Sequence, residues 1–208
     1  LVTFAWLLPC FACLFFLTEL WDSLSWAGTY VFFVLAGPSV TALHYNCMTI
    51  VRGVPVWWWD DYKKCVRREW KKAMLLSAIL GALWSGYVYA LRLIIAVSGG
   101  LGLMYSMLFA VCGFVLTGLT ALSYQQLANV ELPFGNVLKN ALLLIFAGKG
   151  RSFAAVMFAL AALALCARYY LYAFFVLLVG FYAVGVMTFS LMFLPVFNEF
   201  FPSGDDAQ

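Results

Sequence analysis

Long, nearly uninterrupted apolar runs alternate with short polar segments along this chain. Apolar residues fill about 1–20, 26–50, 73–97 and 101–127, and then a long stretch from 152 to 197 that is broken near Arg168-Tyr169-Tyr170. The runs are continuous rather than alternating with period two, which excludes the pattern of a membrane β-barrel. A bilayer core of about 30 Å takes helices of about 20 apolar residues, and a helix leaves no backbone group unpaired there. The pattern therefore predicts an all-α polytopic transmembrane helix bundle, a single domain over 1–208. It has about six spans, at 1–20, 26–50, 73–97, 101–127, 152–168 and 171–197. The chain begins at Leu1, already apolar, and is read as a segment whose true N-terminus lies upstream.

Composition agrees with this reading. The 208 residues are 66% hydrophobic and 10% charged, with mean hydropathy +0.98, whereas soluble domains are about half apolar and a quarter charged. A net charge of +3 is too small for a nucleic-acid partner.

Charge placement sets the expected orientation. With the N-terminus inside, inner loops hold Arg52, Lys63, Lys64, Arg67, Arg68, Lys71, Lys72, Lys139, Lys149 and Arg151, leaving only Arg92 and Arg168 near the outside. The excess of basic residues in cytoplasmic loops then gives both termini inside, in a multi-pass protein of the cell membrane. The segment 132–146, in a stretch with Pro133, Gly135 and Gly148, is either interfacial or re-entrant.

Between the second and third spans a basic amphipathic interfacial helix is expected over 57–72. On a helix Trp59, Tyr62, Val66 and Trp70 share one face, while Lys63, Lys64, Arg67, Arg68 and Lys71 are mostly displaced from it. Asp60 and Asp61 near its start complement the helix dipole. An aromatic stripe with basic flanks lies at the lipid headgroup boundary or docks a partner. The candidate partner- or headgroup-binding set is Trp57, Trp58, Trp59, Tyr62, Lys63, Lys64, Arg67, Arg68, Trp70, Lys71 and Lys72.

Small residues at helix-packing spacing, Ser77, Gly81 and Ser85, Gly113, Thr117 and Ala121, and Ala155 and Ala159, predict the faces on which spans meet. His44 and Asn46 are the intramembrane polar candidates, and Gly37-Pro38 is expected to break or kink the second span. Gln125, Gln126 and Asn129 fall at a span end, where polar residues cost little. His44 has no second ligand at metal spacing, so no metal or cofactor is expected. Cys10-x-x-Cys13 has redox spacing but lies inside an apolar run, and reads as two thiols in a span. The phosphate-loop, zinc-protease and serine-hydrolase motifs are absent, and the chain is not expected to be an enzyme.

The stretch Gly37-Pro38-Ser39-Val40-Thr41-Ala42-Leu43-His44-Tyr45, with Arg52-Gly53, resembles the bacterial YesL family of small membrane proteins. So do Trp59-Asp60-Asp61-Tyr62-Lys63-Lys64, Arg68-Glu69-Trp70-Lys71-Lys72-Ala73, Val137-Leu138-Lys139-Asn140-Ala141-Leu142 and Leu194-Pro195-Val196-Phe197. At Glu69-Trp70 the family more usually has an Asn-Phe pair. The resemblance implies an accessory subunit of a carbohydrate-uptake ABC transporter, whose partners are the lipid bilayer and permease subunits, and it brings no catalytic residues. The competing expectation is a small-molecule transporter in its own right, with a path near Gly37-Pro38 and His44.

Overall fold

The structure, a computed structural model, describes residues 23–98, 102–147, 149–168 and 181–200. The run 1–20 with the Cys10/Cys13 pair, the turn at 99–100, the break at 169–170, the stretch 171–180 and the tail 201–208 lie outside the described residues. Among the described residues all regular structure is helical: α1 Ser23–Val51, α2 Trp58–Ser98, α3 Leu103–Asn129, α4 Phe134–Ala147, α5 Lys149–Arg168 and α6 Phe181–Phe200.

Two of these helices are long and apolar enough to cross a membrane, Trp58–Val97 and Leu103–Asn129. A third qualifies if Phe134–Ala147 and Gly150–Ala161, bent by 107°, form one broken span. The large apolar side chains Leu83, Leu93, Val97, Leu103, Met107 and Val111 project outward from α2 and α3. Water would penalise such a surface, and a bilayer accepts it.

The structure corrects the sequence reading at two places and gives a third segment, 132–146, its form. The expected interfacial helix 57–72 and the span 73–97 are one helix of 41 residues. No glycine or proline separates Lys72 from Ala73, so nothing stops the hydrogen-bond ladder there. Gly37-Pro38 does not break α1, which runs through Pro38 without interruption. The 132–146 segment is helix α4, with Val137, Ala141, Leu144 and Ile145 buried at spacings of three and four. Pro133 limits α3 on one side and starts α4 on the other, where the Asn136 N–H donates to the Pro133 carbonyl (2.9 Å).

The hairpin between α1 and α2 is closed by backbone geometry. The Val54 N–H donates to the Thr49 carbonyl (3.1 Å) and the Gly53 N–H to the Ile50 carbonyl (2.9 Å), the pairing of a Schellman motif. It needs a left-handed residue, and Gly53 supplies φ +74°. Gly53→Ala is expected to cost about 1 kcal/mol. Gly86→Ala, on an open face of α2, should gain about as much from helix propensity. Opposite shifts of the two thermal midpoints would check this pair.

Helices α1 and α2, and α2 and α3, run antiparallel. Asn46 and Ser39 of α1 bond Trp58 and Tyr62 of α2, and Trp84 and Ser77 of α2 bond Thr120 and Tyr124 of α3. The small-residue faces make these contacts. A Cβ at Gly81 would approach Phe33 to 2.9 Å, one at Gly113 the Tyr87 hydroxyl to 2.9 Å, and one at Gly118 Ile145 to 3.0 Å. The main core gathers Met48, Leu122, Leu144, Ala155, Phe189 and Phe193 from α1 and α3–α6. The C-terminal ends of α1, α3 and α6 thereby meet the N-terminal ends of α2 and α4, at the end of the bundle that carries Arg52 and the basic segment of α2.

Candidate functional site

Two groups of polar residues occupy that basic end, one inside the bundle and one on its surface. Inside, His44 Nδ1 and Gln125 Oε1 share a hydrogen bond of 2.7 Å. The Ser190 hydroxyl of α6 donates weakly to the same oxygen (3.4 Å). Tyr124 stacks on His44 with ring centroids 6.0 Å apart, and its hydroxyl pairs with Ser77 Oγ (2.7 Å). Residues from α1, α2, α3 and α6 thus form one buried polar group. Asn46 does not join it: two residues on, it turns to α2 and donates to the Trp58 carbonyl (3.2 Å).

Gln125 and Gln126 do not lie where polar side chains cost little. Both are wholly buried, because α1, α2 and α4 pack against α3 and Ser190 of α6 reaches Gln125. Among the described residues Gln125 Nε2, both polar atoms of Gln126, Asn46 Oδ1 and Ser123 Oγ have no hydrogen-bond partner. Each such group costs about 1–3 kcal/mol relative to a satisfied one.

On the surface the basic segment divides by the work of its residues. The inward face of α2 carries Tyr62, Cys65, Glu69 and Ala73, and Tyr62 and Cys65 pack on Ala42. Glu69 is the polar member that sequence inspection passed over. Its Oε1 accepts from Arg68 Nε (3.0 Å) and its Oε2 lies 3.3 Å from Lys72 Nζ. Arg68 also donates to the Ala128 carbonyl (3.2 Å), one of the unpaired carbonyls at the end of α3. Lys63 pairs with Asp60 (3.1 Å), and the Asp61 carboxylate accepts from the Trp57 N–H (2.8 Å). Arg52 lies over the Phe197 ring (4.9 Å), where burial lowers its pKa and Tyr45 opposes the shift. These contacts join the hairpin to the bundle.

The aromatic residues divide differently from the expected single stripe. Tyr62 turns inward, whereas Trp57, Trp58, Trp59 and Trp70 are exposed, Trp57 by 77%. Trp59, Lys63, Arg67, Trp70 and Lys71 follow one outward strip of α2 at helical spacing. Cations lie against its rings, Lys63 over Trp59 (5.3 Å) and Lys71 over Trp70 (5.4 Å). Lys64, Arg67 and Lys71 are exposed and make no ion pair among the described residues.

Comparison with known protein families, curated proteins and solved structures finds no match to this chain.

Proposed function

We propose that this chain is a membrane-embedded interaction subunit of the YesL type, associated with the permease of a carbohydrate-uptake ABC transporter. The observation that carries the reading is the outward group Trp57, Trp58, Trp59, Trp70, Lys64, Arg67 and Lys71. The hairpin is closed and anchored by other residues, so these side chains remain available to a partner. Tryptophan and arginine are the residue types that most often dominate binding energy at protein interfaces.

In the same proposal the chain has six spans in the cytoplasmic membrane, with both termini inside. The run 1–20 is the first span, α1, α2 and α3 are the next three, the bent α4–α5 pair is the fifth and α6 is the sixth. Support for the orientation comes from Arg52, Lys63, Lys64, Arg67, Arg68, Lys71 and Lys72 at the end where α1, α3 and α6 terminate.

A second reading, a transporter in its own right, draws on the buried amides of Gln125 and Gln126 beside His44. Copurification after mild detergent extraction tests the first reading. Permease subunits of a sugar transporter are expected with the chain, and its isolation alone, under crosslinking that keeps the transporter intact, overturns the proposal. The second reading requires solute flux in liposomes holding this chain only, altered by His44→Ala. The interaction reading expects no flux from either form.

A further inference from the structure

The length of α2 decides what its Trp-rich end can reach. From Ala73 to Leu91 the helix carries no charged residue, about 28 Å at 1.5 Å per residue, which matches a hydrocarbon core of about 30 Å. Trp58 lies about 22 Å before Ala73 on the same unbroken helix. Membrane helices tilt by up to about 40°, which still leaves about 17 Å of projection. The headgroup layer is only about 5–8 Å deep on each side. The hairpin tip therefore stands beyond the headgroups of its own bilayer rather than lying among them.

Helix α1 makes the projection rigid. Ser39, Ala42 and Asn46 follow α2 outward to Tyr62, Cys65 and Trp58. At the tip Val54, Trp57, Trp58 and Trp59 are about half exposed or more. The two carboxylates nearest them are already used, Asp60 by Lys63 and Asp61 by the Trp57 N–H. Lys64, Arg67 and Lys71 extend the positive charge down the outward side. An indole cluster in water with cations behind it fits an apolar groove with an acidic rim. Apolar burial supplies affinity and opposite charge supplies register and approach.

We infer that the α1–α2 hairpin is a docking head for a protein whose apolar groove is rimmed by carboxylates, with Trp57, Trp58 and Trp59 entering the groove and Lys64, Arg67 and Lys71 meeting the rim. The inference rests on the interaction-subunit reading and names the chemistry of the partner.

The test places a photoreactive phenylalanine analogue at position 58, and at the lipid-facing position 83 as reference, in the full chain in intact cells. Position 58 is expected to crosslink to one protein, at a segment containing aspartate or glutamate beside apolar residues. Lys64→Glu, Arg67→Glu and Lys71→Glu together should lower that yield roughly tenfold or more while leaving the amount of inserted protein unchanged. Lys64→Arg, Arg67→Lys and Lys71→Arg together should retain it. Phospholipid adducts at position 58, no protein adduct above the level at position 83, or a yield indifferent to charge reversal would overturn the inference. A mapped, charge-dependent adduct on a protein outside any sugar transporter would uphold it and overturn the transporter association alone.

Discussion

Gly37→Val is expected to abolish the compact fold, with no monodisperse species in detergent and early thermal unfolding of whatever inserts. At this position α1 and α2 are in backbone contact. A Cβ on Gly37 would fall on the Ser77 hydroxyl and within 2.7 Å of the Ala73 carbonyl oxygen. Neither atom can yield alone. Ser77 donates to that same carbonyl (2.8 Å) and pairs with the Tyr124 hydroxyl, so displacing it disturbs α3 as well. Overpacking commonly costs 1–3 kcal/mol, and here the obstacle is backbone, which points to about 3 kcal/mol or more. Gly86→Val is the control, because a Cβ there meets nothing within 4 Å. Its stability should change by about 1 kcal/mol or less. Size-exclusion profiles and thermal midpoints of the two variants check the contrast, and equal behaviour would refute the close approach.

Gln126→Leu should act in the opposite direction and raise the thermal midpoint by several degrees. Gln126 is wholly buried and neither of its polar atoms has a partner among the described residues. Leucine has similar volume and propagates a helix at least as well. Removing the unsatisfied amide should recover about 1–3 kcal/mol, and each kcal/mol moves the midpoint of a chain this size by about 2–4 °C. On the interaction reading the stabilised variant copurifies with the partner as the parent does. A fall in midpoint would mean that the amide is bonded to something outside the described residues, which would favour the transporter reading.

The all-helical character was legible because continuous apolar runs admit no other solution in lipid. The packing faces were legible for a similar reason: Gly81 and Gly113 leave room that only a neighbouring helix fills. Continuity was harder to read. The change from basic to apolar at Lys72-Ala73 suggests a boundary, yet charge does not end a helix and only a breaker does. Gly37-Pro38 likewise suggested a break that is not there, because neighbouring packing can hold a helix through a proline. The buried site was half visible. His44 stood out as the single histidine, but its partner Gln125 lies 81 positions along the chain, and Ser190, which donates to Gln125, a further 65. Gln125 reads as a span-end residue until α1, α2 and α4 pack against α3 and Ser190 reaches it. Glu69 was missed because its neighbours are charged, and its burial follows from how α2 packs in the bundle.

The claim on which the functional account depends is that α2 continues unbroken from the membrane into a projecting basic head. Spin labels introduced singly from position 58 to 76, in nanodiscs, test it through accessibility to a water-soluble nickel reagent and to lipid-soluble oxygen. The account predicts a 3.6-residue periodicity throughout, with nickel access at positions 59, 63, 67 and 71 and oxygen access rising only after Ala73. Strong oxygen access at positions 59 and 70, with a phase break at 72–73, would show a separate helix lying in the headgroup layer and would contradict it.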